Sequence, residues 1–259
     1  METSQKRNNL FIILAGIFIT NALLAEMIGV KIFSAEGTFG LQPANLNILG
    51  FTMYFNLTAG AIIWPIVFVT TDLINEYFGK PGVKKISYFT AGLIAYAFAV
   101  ISVTMLLAPA DFWLNAYGKD PNGNSFDIDH AFNTIFGQGL RIIVGSLIAF
   151  LVGQLVDVFV FQKLRKMTGN KMLWLRATGS TLVSQFVDSF VVLFIAFYGV
   201  FTNNQIIAIG ITNYIYKFVV AILLTPLIYF GHYLIDNYLG KEQANKISEE
   251  AAAKSQSIF

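Results

Sequence analysis

The chain of 259 residues contains no cysteine and only two histidines, His130 and His232. The lack of cysteine excludes disulfides, thiolate metal sites and cysteine nucleophiles. Two histidines argue against a histidine-based zinc or iron site. The chain also lacks the Walker loop, the GxSxG and HExxH motifs, and a Rossmann glycine pattern between a strand and a helix. We therefore expect no enzymatic activity, no metal and no cofactor.

Charged residues are also scarce, at 12% of the chain against about 25% in a typical water-soluble protein. Hydrophobic residues make up 56%, so there are too few ionisable groups to coat a surface that faces only water. We expect the lipid bilayer to cover much of the exterior. The net charge of +2 is too small to indicate nucleic acid binding, and no nucleic acid partner is predicted.

Long apolar segments are what the sequence has instead. A helix needs about 20 apolar residues to cross the hydrocarbon core of a bilayer. Six segments meet this requirement, at residues 10–30, 57–78, 86–108, 138–161, 177–198 and 205–230. The sequence therefore predicts an all-α integral membrane protein, a bundle of about six transmembrane helices. Residues 44–56 are too short to span and are predicted to form a re-entrant or interfacial piece before helix two.

The positions of lysine and arginine predict the orientation of the bundle, because these residues accumulate in cytoplasmic loops. They fall before helix one, between helices two and three, and between helices four and five: Lys6, Arg7, Lys80, Lys84, Lys85, Lys163, Arg165, Lys166, Lys171 and Arg176. Both termini are then cytoplasmic. Residues 1–235 form the predicted membrane domain, and residues 236–259 a cytoplasmic tail. The mixed charges of this tail predict a helix that is solvated and has no function.

Ionisable and amide side chains within the apolar segments are the main functional indication. Such groups are costly in lipid and usually mark a substrate or ion pathway. They are Glu26, Asp72, Glu76, Arg141, Asp157, Asp188 and Lys217, with the amides Asn21, Asn75, Gln154, Gln185 and Asn213. We predict that they gather around one aqueous pocket and that the protein carries a small polar solute.

Asp72 and Glu76 are four residues apart and share one helix face. Two carboxylates so close in a poorly hydrated site would not both ionise easily, so one would tend to hold a proton. This pair could bind a cation, take up a coupling proton or accept N–H donors from a substrate. The alternative is a helix end docked against Lys80, Lys84 and Lys85, as a gate or an ion-pair network. The sequence leaves both interpretations open.

Helix five places Thr181, Gln185 and Asp188 on one face, with Ser184 beside them. A carboxylate next to an amide in mid-membrane suits the paired N–H groups of a heterocycle. The alternative is hydrogen bonding between helices, worth about 0.6–2 kcal/mol.

Helix six carries Asn213 and Lys217 on one stripe. Asn213 is a candidate substrate contact. Lys217 is a candidate coupling or gating residue, or a neutralising partner for Asp188 or Asp157.

Helix four and the start of helix two supply the remaining candidates. Arg141, Gly145, Ala149, Gly153 and Asp157 recur every four residues, which predicts a helix-packing seam. Arg141 and Asp157, at the ends of this seam, are candidate coupling or gating residues. Trp64 precedes Pro65, and because a proline-loosened helix often lines a cavity, Trp64 is a candidate stacking partner for a planar substrate.

Two stretches resemble one known family. Residues 71–79 read TDLINEYFG and are similar to the TD-x-x-x-E-x-(F)G segment of the queuosine precursor transporters, also named as a vitamin uptake family. Residues 174–188 are similar to that family's WLR-x-x-x-ST-x-x-x-Q-x-x-D segment. The resemblance covers residues 10–235 and carries over Asp72, Asn75, Glu76, Arg176, Ser180, Gln185 and Asp188.

The resemblance implies a bacterial inner-membrane carrier that imports a 7-deazaguanine base such as 7-cyano-7-deazaguanine. The residues of the chain fit such a substrate, because its N1–H and 2-amino groups can meet a carboxylate as a pair. Our leading hypothesis is a secondary carrier, proton-coupled through Asp72 and Glu76, with Arg176 among the gating candidates. The alternative is the substrate-binding membrane subunit of an ATPase-driven vitamin importer. The sequence leaves a homodimer open.

Overall fold

The computed structural model describes residues 2–137, 139–169 and 172–256, and most of this chain is helical. The helices are α1 Glu2–Ile28, α2 Ala35–Thr38, α3 Trp64–Thr104, α4 Asp111–Ala116, α5 Ile128–Phe136, α6 Leu140–Thr168, α7 Leu173–Phe197, α8 Asn203–Leu223, α9 Thr225–Leu239 and α10 Lys241–Gln256. The strands are β1 Ile32–Ser34, β2 Leu46–Ile48, β3 Phe51–Met53 and β4 Asn56–Thr58, followed by a 3₁₀ turn at Ala59–Ile62. The prediction of an all-α integral membrane protein is confirmed.

Among the described residues, five helices are long and apolar enough to cross a membrane: α1, α3, α6, α7 and α8. The 41-residue helix α3 contains one residue with non-helical backbone angles, Gly79, at φ +66° and ψ −172°. Its first part runs in the same direction as α6, since Thr71 contacts Gln154 and, further along, Asn75 contacts Gln162.

The chain reverses direction at Gly79. A Cβ atom added at Gly137, just before α6, would lie 3.6 Å from the sulfur of Met105, the residue that follows α3. The second part of α3 therefore returns to the end of the bundle where α6 begins. Two of the predicted spans meet at this turn, which is why six predicted segments correspond to five long helices.

Several predicted boundaries differ from the structure, and two of the differences have a clear structural cause. The second span begins at Trp64 and not at residue 57, because the preceding residues form β4 and the 3₁₀ turn. The last span is divided at Leu224, where α8 ends and α9 begins with Pro226 in its first turn. Proline has no N–H group to donate and so cannot continue α8 with an intact hydrogen-bond ladder.

Residues 44–56 form short strands. Strand β1 pairs with β4 and β2 with β3, both antiparallel, in two separate two-stranded sheets. Glu36 ties this region together, because its carboxylate accepts the backbone N–H of Phe55 at 2.8 Å. Open sheet edges are not found in the hydrocarbon region of a membrane. The strands therefore favour the interfacial alternative over the re-entrant one.

Small residues hold α6 against α7. A Cβ atom on Gly145 would lie 3.2 Å from the Ile195 side chain, and one on Gly153 would lie 3.5 Å from Cβ of Asp188. The two helices thus approach closely along the seam that the four-residue spacing predicts.

The C-terminal segment is helical, as predicted, but it is not fully solvated. Helix α10 exposes Lys241, Glu242 and other charged residues on one face. Its other face is buried and consists of Ala244, Ile247, Ser248, Ala251 and Ser255. The prediction of a solvated tail is wrong, because small residues recurring every three to four positions among the charges form a packing face.

Candidate functional site

Polar side chains from three helices meet inside the bundle, on the facing sides of α3, α6 and α7. Helical periodicity places the polar side chains of each helix on one face, since residues three, four or seven positions apart share a face. The buried members are Asp72, Asn75 and Glu76 on α3, Gln154, Asp157, Gln162 and Arg165 on α6, and Arg176, Ser180, Ser184 and Gln185 on α7. Most of the residues singled out from the sequence are therefore neighbours in the fold.

Glu76 lies at the end of this polar region that carries the basic connections. Its Oε1 atom is 2.9 Å from Nη2 of Arg176 and 3.3 Å from Nη2 of Arg165. The hydroxyl of Ser248 on α10 donates to the same oxygen at 2.8 Å. We call these four side chains the Glu76 cluster.

The two arginines of the Glu76 cluster are also held by backbone oxygens. Arg165 donates to the carbonyl oxygens of Glu76 and Ser248, at 3.2 and 2.9 Å. Arg176 donates to the carbonyl oxygen of Gly169 at 2.8 Å and lies over the ring of Phe161. The free-energy cost of removing charges from water is offset only when the buried charged groups form hydrogen bonds of this kind.

These contacts bear on the two interpretations that the sequence left open for Glu76. Its charge is balanced by arginines of α6 and α7, and not by the three lysines at 80, 84 and 85. The structure thus supports the ion-pair network that the sequence left open, with other partners.

Amide and hydroxyl groups line the adjoining turns. The Nε2 atom of Gln162 donates to Oδ1 of Asn75 at 2.7 Å, with both side chains buried. The hydroxyl of Thr71 donates to Oε1 of Gln154 at 3.2 Å. These bonds orient α3 against α6 and fix the side of α3 on which Asp72 lies.

Buried acceptors without a hydrogen-bond partner in the described part of the chain include Oδ1 of Asp72, Oδ2 of Asp157 and Oε1 of Gln185. Oε2 of Glu76 is another, although the other oxygen of Glu76 is ion-paired. The other oxygen of Asp157 accepts the hydroxyl of Ser184 at 3.2 Å. A buried acceptor without a donor costs about 1–3 kcal/mol. This group of acceptors is therefore suited to a ligand rich in N–H donors, or to a proton.

A separate ion pair lies further along α7. Lys217 of α8 donates to Oδ2 of Asp188, and both side chains are about one quarter exposed. Lys217 thus takes the neutralising role that the sequence offered as an alternative, and in this conformation Asp188 is paired. Glu26, in the last turn of α1, accepts a hydrogen bond from the hydroxyl of Ser146 at 2.6 Å.

Two other candidates, Trp64 and Asn213, stand apart from this arrangement. Trp64 stacks on Phe68 with ring centres 5.9 Å apart and also contacts the ring of Phe150. Asn213 is half-buried on α8 and makes none of the hydrogen bonds that join α3, α6 and α7 in the described residues. The side chain of Arg141 lies outside the described part of the structure.

Sequence reasoning missed Gln162, Arg165 and Ser248. Arg165 was assigned to a cytoplasmic loop because it stands among other basic residues. The helical stripe that begins with Gln154 and Asp157 continues through residues 161–162 to 165, and extending it would have placed both residues inside. The only feature of the sequence that indicates burial of Ser248 is the regular spacing of small residues in α10.

Comparisons with known proteins identify a transporter family. Residues 58–231 match the family described as "Putative vitamin uptake transporter". The chain is 32% identical over 203 residues to the "Probable queuosine precursor transporter" of Bacillus subtilis, covering 77% of this chain and 82% of that protein. It is 28% identical over 184 residues to the "Queuosine precursor transporter" of Escherichia coli, covering 69% and 72%. No solved structure matches the chain.

Proposed function

Because the chain belongs to the "Putative vitamin uptake transporter" family, we propose that it is a secondary carrier for a queuosine precursor. The substrate is 7-cyano-7-deazaguanine or a related 7-deazaguanine base, imported across the bacterial inner membrane. The names of the relatives from Bacillus subtilis and Escherichia coli support this substrate class.

One observation supports this substrate from within the bundle. The buried oxygens of Asp72, Asp157 and Gln185 lack donors within the described residues, and a deazaguanine offers an N1–H and a 2-amino group. A site with unpaired buried acceptors discriminates strongly against bases that lack these donors. We place the base at these three side chains. Asp188, the acceptor favoured from the sequence, is held by Lys217 and acts as a positioning residue.

Uptake of radiolabelled 7-cyano-7-deazaguanine tests the function. Cells that cannot make the base should accumulate it only when they express this chain. Proteoliposomes that contain the purified chain alone should also accumulate it. If liposomes required added ATPase subunits, the chain would instead be the binding subunit of an ATPase-driven importer. Equal accumulation with and without the chain in cells would overturn the proposed substrate.

Substitutions at the acceptors test the site. Asp157→Asn should weaken substrate binding by about tenfold or more, since a hydrogen bond to a charged group contributes about 1.5–3 kcal/mol. Gln185→Ala should weaken it by about twofold to tenfold, since a hydrogen bond between neutral groups contributes about 0.5–1.5 kcal/mol. The control is Asp111→Asn, which changes an exposed carboxylate at the start of α4. Unchanged affinity in both site variants would place the base elsewhere.

We further propose that transport is coupled to a proton held by Asp72 and Asp157. Neither side chain forms an ion pair within the described residues, whereas Glu76 is paired with two arginines. Asp72→Asn should therefore flatten the pH dependence of uptake. Glu76→Gln, normalised to the amount of folded protein, should keep that dependence. The opposite result would return the coupling role to Glu76.

A further inference from the structure

Helix α10 packs against the turn at Gly79, where α3 reverses. The backbone N–H of Lys80 donates to the hydroxyl of Ser255 at 2.9 Å. A Cβ atom on Gly79 would lie 2.6 Å from the carbonyl oxygen of Ala251 and 2.5 Å from Oγ of Ser255. The two backbones are therefore in contact, and only glycine at position 79 permits it.

Ser248 reaches from α10 into the interior. Its hydroxyl donates to Oε1 of Glu76 and accepts from Nη2 of Arg165, so that one side chain joins both members of an ion pair. Ser248 is only 7% exposed, and the cluster that it enters is buried as well. The turn inside α3 is thus covered by a helix that follows all the predicted spans in sequence.

The docking face of α10 is small, and most of its side chains are polar or short. Ile247 is its one large apolar residue among the buried residues Ala244, Ile247, Ser248, Ala251 and Ser255. Apolar burial contributes about 25 cal/mol per Å², so alanine and serine add little to the docking free energy. The opposite face carries charges and forms an exposed pair between Glu250 and Arg7, 3.2 Å apart. Helix α10 also lies beyond residues 58–231, the region that the family description matches.

We propose that α10 is a releasable latch on the route between the buried acceptors and the basic end of the bundle. This inference rests on the proposed transport function. While Ser248 joins Glu76 and Arg165, the turn inside α3 is held to the adjacent ends of α6 and α7 and the substrate cannot pass. Undocking of α10 removes that link, and water can then hydrate the arginines as the helix ends separate.

A reversible cross-link tests whether α10 must move. The chain has no cysteine, so the double variant Lys80→Cys/Ser255→Cys can be joined by a short bifunctional thiol reagent and released by reduction. Uptake of the deazaguanine should be lost on cross-linking and restored by reduction. The two single variants, treated in the same way, are the controls. Unchanged uptake by fully cross-linked protein would overturn the latch.

Thiol labelling tests the latch without any substrate. Thr181 is buried on α7, one to two turns inward of Arg176, and a Thr181→Cys probe in inside-out vesicles reports access from the proposed cytoplasmic side. Adding Ser248→Ala should speed labelling roughly threefold or more, because two hydrogen bonds to charged groups are lost. Adding Asn245→Ala, on the exposed face of α10, should not.

The outcomes separate the two proposals. Equal labelling rates in the Ser248→Ala and Asn245→Ala backgrounds would overturn the latch even if uptake is observed. If the unaltered chain takes up no deazaguanine, the proposed substrate fails, whereas faster labelling with Ser248→Ala would still support the latch.

Discussion

Glu76 shows how a single buried carboxylate can hold several elements together. It contacts Arg165, Arg176 and Ser248, and both ion pairs are almost fully removed from water. Removing one member of a buried ion pair leaves an uncompensated charge and costs about 3–5 kcal/mol. By contrast, the exposed pair between Arg7 and Glu250 belongs to a class that contributes about 0–1 kcal/mol.

We predict that Glu76→Gln lowers the free energy of unfolding by about 3–5 kcal/mol, because two buried guanidinium groups lose their counter-charge. Thermal unfolding of the purified protein in detergent measures the effect. Glu242→Gln, which changes an exposed carboxylate at the start of α10, is the matched control and should leave the melting temperature unchanged. Equal melting temperatures for the two variants would show that the cluster contributes nothing to stability.

At the scale of the element, the turn inside α3 depends on its backbone conformation. Gly79 combines φ +66° with ψ −172°, a region that is occupied almost only by glycine. Pro81 follows two residues later, where its missing N–H is tolerated because a new helical segment begins. The turn lets the two apolar parts of α3 cross the membrane separately. It also presents the backbone against which α10 packs.

Gly79→Ala should destabilise the protein by about 1–3 kcal/mol from backbone strain, and more if the contact with Ala251 cannot relax. The matched control is Gly92→Ala in the same helix, where a Cβ atom meets nothing within 4 Å. This control should be neutral or stabilise by up to about 1 kcal/mol, since alanine favours helix over glycine. The comparison uses thermal unfolding in detergent, and equal effects of the two substitutions would contradict the assigned turn.

The whole molecule is electrically asymmetric along the bundle. Arg165, Arg176 and the lysines next to Gly79 lie at one end. The segments 31–58 and 105–137 meet the other end, and the latter contains four aspartates and a single lysine, Lys119. Basic residues are retained in the cytoplasm when a membrane protein inserts, so this asymmetry orients the bundle.

Cysteine labelling checks this orientation in a chain that has no native thiol. In intact cells, an impermeant reagent should label Asn124→Cys, in the exposed loop between α4 and α5, and should not label Lys246→Cys on the exposed face of α10. Inside-out vesicles should give the reverse pattern. Labelling of both positions from the same side would exclude the predicted topology.

Several features of the site could be predicted because they depend on local spacing. The four-residue interval places Asp72 and Glu76 on one face, and a similar period marks the small residues of α6 that meet α7. The partners of Glu76 could not be predicted in this way. Arg165 and Ser248 are separated from it by 89 and 172 residues, and no local pattern indicates which distant side chains meet.

The sequence by itself determined that the chain lies in a membrane, where its apolar segments lie along the chain and which polar groups lie within them. These properties follow from hydropathy and helical period, which are read along the chain. Only the tertiary structure decided that Glu76 is neutralised by arginines and that Asp188 is held by Lys217. It also decided that Asp72, Asp157 and Gln185 keep buried acceptors without donors among the described residues. Charge pairing depends on which helices pack together. That packing places α10 against the turn inside α3, although local composition indicated only a solvated tail.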